Sequence, residues 1–220
     1  MRFVLFSIVL VAVGCSNAEP TSTEATSTPV EVTADWLSAV AAVDEGALEA
    51  LVEPVGLVVV AAVENQLRSD ETVALLEAGT LGAAGDGYWR SFRDDFEAIR
   101  GVTVDSLSVG YERDEDLGPD YAAVAVSIPD SDGIVVLQRS EGEWQVDMVG
   151  SLGPALVDTL GSYLESALGG SNATAIAEAY RVAVIPGLDA AIAIEPTNSG
   201  LVFGTEHIRQ LLIDQEQSAG

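Results

Sequence analysis

The sequence predicts an α+β fold: N-terminal helices packed under a curved antiparallel β-meander, with additional helices at the C-terminal end. Three observations carry this. Apolar residues recur at helical spacing up to Gly101. They fall on alternate positions from Val102 to Met148, and return to helical spacing from residue 151 onward. The 220 residues are 48% hydrophobic, ample for a real core.

Met1-Arg2 precedes an apolar run, Phe3 to Val13, broken only by Ser7. Eleven residues of helix span about 16 Å, too short for a bilayer core of about 30 Å. The run reads as the h-region of a secretory signal peptide. Residues 15–32 follow as a polar stretch, SNAEPTSTEATSTPVEV after the cysteine, with two prolines and no core-forming cluster. This composition predicts a disordered tether.

Thr33 is the predicted N-cap of a first helix, with Trp36, Leu37, Val40, Ala41 and Val43 on one face. Ala47 to Val52 continues helically until Pro54. Val55 to Val63 is apolar but for Gly56, and periodicity leaves a buried strand and a buried helix both open. Ser69-Asp70 caps a short helix, Glu71 to Ala78, closed by Gly79. Gly79, Gly82, Gly85 and Gly87 then mark a flexible connection or a mobile lid. Their spacing gives no dinucleotide-binding glycine motif.

Tyr88 to Arg100 is the clearest helix, with Trp89, Phe92, Phe96 and Ile99 on one stripe. That stripe reads as core or as the wall of a pocket. Val102 and Val104 then alternate in one phase, and Leu107, Val109 and Tyr111 in the other. The slip places a β-bulge near Asp105-Ser106. Tyr121 to Ile128 is the second strand and Ile134 to Arg139 the third, joined by a turn at Asp130 to Gly133. A fourth carries Trp144, Val146 and Met148 after a tight Glu141-Gly142 turn. Pro154 opens a C-terminal helix, Asn172 caps another, and a third carries Ile208, Leu211 and Leu212. Residues 186–203 have no readable period apart from a turn at Asn198-Ser199-Gly200. The predicted organisation is therefore residues 1–14 signal peptide, 15–32 tether, 33–150 α+β domain and 151–220 a helical extension packed on it.

Composition excludes several functions. There are 35 acidic side chains against 9 basic ones, all arginine, and the net charge is −26. Without lysine there is no Schiff base and no lysine-bearing phosphate loop. The acidity makes nucleic acid an unsuitable partner. One Cys and one His make neither a zinc site nor a Cys–His pair. No cofactor is implied. The acidic runs Glu112 to Asp120 and Asp130 to Asp132 do not fit the EF-hand ligand pattern and read as a solvated loop and a turn. Asp105, at the predicted bulge, and Asp147, after the last-strand tryptophan, are each open to two readings: an inward base or a solvated strand-end carboxylate. His207 reads as a helix-surface residue.

Two resemblances add to this. Ala12-Val13-Gly14-Cys15 resembles the lipobox of bacterial lipoproteins, with Ala12 and Val13 where leucine and a smaller residue are commoner. It implies cleavage before Cys15, acylation of that residue, and a lipid anchor on the extracytoplasmic face of a cell membrane or envelope. Helices, an aromatic helix ended by glycine, and a bulged meander closing on Gly142-Glu143-Trp144-Gln145-Val146-Asp147 resemble the nuclear transport factor two-like superfamily, over about residues 33–150. There a curved sheet wraps over helices as a cone. The superfamily includes isomerases, dehydratases and many non-enzymatic members, so the fold does not give the function. The pocket candidates are Trp89, Phe92, Tyr111, Trp144 and Asp105. The expected protein is a non-catalytic module binding a small apolar ligand or an envelope protein. The alternatives are a cone-type enzyme using an inward carboxylate and a structural lipoprotein.

Overall fold

The structure, a computed structural model, describes residues 27–128 and 131–219. Cys15, the apolar run before it and most of the expected tether lie outside the described residues.

Helix α1 spans Pro29–Ala42. Thr28, not Thr33, is its cap. The Glu31 N–H donates to Thr28 Oγ1, and the Thr28 N–H donates back to Glu31 Oε2 at 2.8 Å. This reciprocal box, with proline at the first helical position, is a stronger start signal than Thr33 alone. Thr33 is buried inside the helix and donates to Pro29 O. The expected tether is thus corrected at its end, because Pro29 to Val32 belong to the folded body and Val32 is buried.

Helix α2 (Glu45–Leu51) is capped by Asp44, and α3 (Pro54–Glu64) by Glu53. The Glu53 carboxylate accepts from the Val55 and Gly56 N–H groups, which settles the Val55 to Val63 run as helix. Gly56 to Val63 is buried on every side, so the run carries no period. Helix α4 (Ser69–Ala78) ends on Gly79 at φ +64°, and a short 3₁₀ turn, Gly82–Gly85, leads to α5 (Tyr88–Arg100).

The meander has strands β1 (Ser108–Glu112), β2 (Tyr121–Ile128), β3 (Ser131–Ser140) and β4 (Glu143–Val146), in that spatial order and antiparallel. A one-residue slip is present, but not at Asp105-Ser106. A 3₁₀ turn, Val104–Ser106, occupies that place. The register slips between Val109 and Glu112, where Gly110 and Tyr111 oppose Ala125. Ser127 and Ile128 pair with Asp132 and Ser131, so the latter two belong to β3 rather than to a turn. Glu141 and Gly142 both have positive φ, as a two-residue hairpin turn requires.

Met148 does not continue β4. It begins α6 (Met148–Leu168), capped by Asp147, so Pro154 lies inside a helix instead of opening one. Helix α7 (Ala173–Ala179) passes through a π-helical turn, Tyr180–Val184, into α8 (Ile185–Ile194). The buried Tyr180 hydroxyl donates to Leu160 O at 2.7 Å. Asn198 caps the last helix, α9 (Ser199–Ala219), by accepting from the Leu201 N–H. Residues 186–203 are thus mostly helix.

The sheet is covered on both faces. Ala122, Val124, Val126, Val135, Leu137 and Val146 share one face by register, and α1 packs against the sheet. On the other face Val136 meets α6, where a Cβ added to Gly150 would come within 2.9 Å of Val136 Cγ1. Both α6 and α8 pack on β3. The expectation of helices beneath one face holds for the N-terminal half, while the C-terminal helices take the opposite face. One core joins residues from Val32 to Leu212. The predicted boundary at residue 150 therefore corresponds to no break in packing, since α6 runs through it. Among the described residues no helix is long and apolar enough to cross a membrane.

Candidate functional site

The site follows from unequal strand lengths. Strand β3 has 10 residues and β4 only 4, so β4 pairs with β3 from Leu137 to Ser140 and no further. At Val136 the start of α6 takes over the edge. The Asp147 N–H donates to Val136 O at 2.9 Å, and the Val136 N–H donates to Ser151 Oγ at 3.0 Å. Backbone groups alternate between the two edges of a strand. The Ile134 N–H and C=O therefore point to the same side as those of Val136. Bonds from Arg139 N–H to Asp120 O and from Arg113 N–H to Ala123 O fit this alternation. Among the described residues no hydrogen bond reaches the Ile134 amide from that side.

A cleft of about 310 Å³ wraps around this open edge. On the α1 face it is walled by Trp36, Leu37, Val40, Phe92 and Phe96. On the opposite side the wall is Leu152, Ala155, Ala191 and Ile194. The aromatics pack on one another, Trp89 edge to face on Phe92 and Trp36 tilted against it. The Trp89–Phe92 centroids are 5.6 Å apart, and Trp36–Phe92 6.4 Å. Trp36 Nε1 is buried without a hydrogen-bond partner among the described residues. Gly150 and Pro154 also line the cleft, and Pro154 has no N–H to return to the Gly150 carbonyl. Two charged groups stand at the cleft, Arg100 at the end of α5 and Glu195 just past α8. Neither is in an ion pair among the described residues.

The strongest electrostatic perturbation lies elsewhere. Asp147 is 2% exposed. Its Oδ1 accepts from the Gly150 N–H at 2.9 Å, while Oδ2 has no partner among the described residues. Burial pushes its carboxyl up to about 7, against the pull of the Gly150 N–H and with the nearby Glu53 charge adding to the rise. Burial likewise raises the Tyr121 phenol, and the Asp147 charge raises it further. This corner is closed. A Cβ on Gly187 would lie 2.7 Å from Asp147 Oδ2, and Asp147 does not line the cleft. Asp147 is thus inward and desolvated, contrary to the strand-end reading, but its oxygens face helix backbone rather than open space.

Of the pocket candidates, Phe92 alone lines the cleft. Trp89 is buried beneath it and borders a second cavity of about 330 Å³, together with Glu45, Glu49, Asp86 and the glycine turn. Tyr111 is corrected. It sits on the bulge at 72% exposure, because the extra residue turns it away from the packed face. Asp105 is exposed on the 3₁₀ turn, and Trp144 is half-buried with the Arg139 guanidinium 5.6 Å above its ring. The structure brings neither to the cleft. Ile99 is 79% exposed, off the core its spacing suggested. His207 is exposed on α9. Arg113 pairs with Glu115 within the acidic stretch, and among the described residues no group of three or more acidic, His or Cys side chains is arranged to hold a metal. Sequence reading missed the cleft's second wall on α6 and α8. The available signal was Asp147 three residues before Gly150, an N-cap spacing hidden by the strand-like alternation around it.

Comparison of the chain with protein-family models, with curated proteins and with solved structures finds no significant match.

Proposed function

We propose that the chain is a lipid-anchored protein of a bacterial envelope, facing away from the cytoplasm, whose folded body binds an apolar ligand without catalysing a reaction. The observation that carries the binding role is the cleft itself: apolar on both walls, bordered by two charges unpaired among the described residues, and separate from the buried Asp147 carboxylate with its raised proton affinity. A pocket of this size and lining suits a small ligand or a short apolar segment. The lipobox-like Ala12 to Cys15 supports the anchor, and the acidity argues that lipid rather than charge would hold the body at a membrane. Helices α1 and α5 beneath a bulged meander support a nuclear transport factor two-like cone over residues 29–146, from which α6 to α9 depart.

The binding role is tested with Nile red, a neutral dye that the protein's charge does not repel. Its emission should rise on the wild-type protein. Ala155→Arg, at an exposed position lining the cleft, should abolish the rise and leave the melting temperature unchanged. Equal emission from both proteins would dismiss the cleft as a binding site. The anchor is tested by labelling cells with a radioactive fatty acid, which should mark the wild type and not Cys15→Ser.

A second reading, a cone-type isomerase or dehydratase, is favoured by Asp147 near neutrality beside Tyr121. It requires an opening to Asp147. Hydrogen–deuterium exchange showing rapid opening at residues 147–150 would support it, and slow exchange there would exclude it.

A further inference from the structure

The shape of the cleft says more about its occupant than apolarity alone. We infer that it takes an extended apolar peptide segment with basic flanks, added as a further strand on the open edge of β3. This rests on the cleft being the binding site.

Four features converge. The Ile134 amide offers one donor and one acceptor in the direction an added strand would lie, with no protein partner among the described residues. An unpaired edge of this kind is the template for strand addition. The open stretch, Ser131 to Val135, is about five residues or roughly 17 Å long, enough to seat a short strand. The two walls give the side-chain pattern. A strand at this edge sends alternate side chains to opposite faces of the sheet. One set would meet Trp36, Phe92 and Phe96, and the other Leu152, Ala191 and Ile194. Both sets must then be apolar, as in a central strand covered on both faces.

Charge selects the flanks and the partner. At the cleft Glu195 and Arg100 offset each other, neither in an ion pair among the described residues, so the net charge of −26 on the chain sets the sign of the field. A second copy pairing edge to edge would bring two such bodies together, and an acidic segment would be repelled. A basic-flanked segment of another protein is attracted by the same field.

The probe is a capped heptapeptide, acetyl-Lys-Val-Ile-Val-Ala-Val-Lys-amide, titrated into the full-length protein by calorimetry. Single N-methyl groups are stepped along its backbone. Methylation of the amides that face β3 should weaken binding at least tenfold, and methylation of the alternate amides less than twofold. Replacing both peptide lysines by glutamate should remove binding at low salt. Ile134→Pro, which deletes the edge donor, should weaken the parent peptide at least tenfold. Proline is tolerated on an open edge, and circular dichroism checks the fold. If that variant fails to fold, the N-methyl series alone decides. Binding that is indifferent to the methylated position would overturn strand addition and leave an apolar cleft that takes side chains only. Failure of the peptide to bind, with Nile red still bound, would overturn the peptide and spare the binding role. Loss of both would overturn both.

Discussion

Asp147 Oδ2 and the Ile134 amide are both polar groups without a partner among the described residues, and both lie where β3 meets α6. Their surroundings differ. Asp147 is enclosed by Gly150, Gly187 and the N-terminal turns of α3 and α6, with no room for a ligand. The amide opens into a cleft of about 310 Å³. An unpaired group in a closed space destabilises the fold and must be offset by caps and packing. The same group in an open apolar space is available to whatever can pair with it. The buried charge is the more conspicuous feature, but the open amide is the better guide to binding.

The largest effect expected in the body is at Trp89, which packs against Phe92 of the cleft wall. Trp89 is 2% exposed, so Trp89→Ala should destabilise by about 3–5 kcal/mol in urea melts. Next comes the titration of Asp147. Its carboxyl is raised from 3.8 to about 7 in the folded state. The associated stability is complete below the unfolded value near pH 4 and is lost as pH rises through about 7. Asp147→Asn keeps a cap acceptor and cannot ionise. Relative to the wild type, it should gain about 4 kcal/mol between pH 4 and pH 8, an upper figure from the size of that rise. Subtracting the two proteins cancels the general relief of charge repulsion in acid. A difference that stays constant with pH would mean that Asp147 is not the buried acid described.

Gly187→Ala should cost about 1–3 kcal/mol, because its methyl would collide with Asp147 Oδ2 and approach the Gly150 amide nitrogen within 3.0 Å. A neutral result would show the corner to be roomier than its glycines imply. Phe92→Ala, by contrast, should cost only about 1–2 kcal/mol, since the ring is half-buried and faces the cleft. A cost of about 4 kcal/mol or more would mean that the ring belongs to a closed core and that the cleft is narrower than described.

Much of the N-terminal half was legible because its signals are local. Gly79 and Gly101 end helices as read, and the α5 stripe points Trp89 and Phe92 inward. Ile99 shares that stripe and is exposed, because periodicity gives the direction of a side chain but not whether anything stands opposite. The bulge was legible as a slip in phase but not in position, since Val104 is buried from a 3₁₀ turn as well as it would be from a strand. The open edge was not legible. Alternation at Trp144, Val146 and Met148 reads as one strand, and only the helix capped by Asp147 cuts it short. The far wall was hidden for another reason. Helix α8 is apolar but for Asp189, so its sequence shows no clear period.

The course of α6 through the sheet–helix boundary bears on how the chain acquires its structure. Val146 pairs with Val52, the Glu53 N–H bonds to Val146 O, and α6 packs on α3, β3, α8 and α9. These long-range contacts close late along the sequence, and no segment ending near residue 150 has its core complete. A chain emerging N-terminus first holds α3, apolar on every side, uncovered until α6 and the tyrosine turn arrive. If the protein is exported, that interval falls on the far side of the membrane, where a chaperone that shields one apolar helix would meet the need.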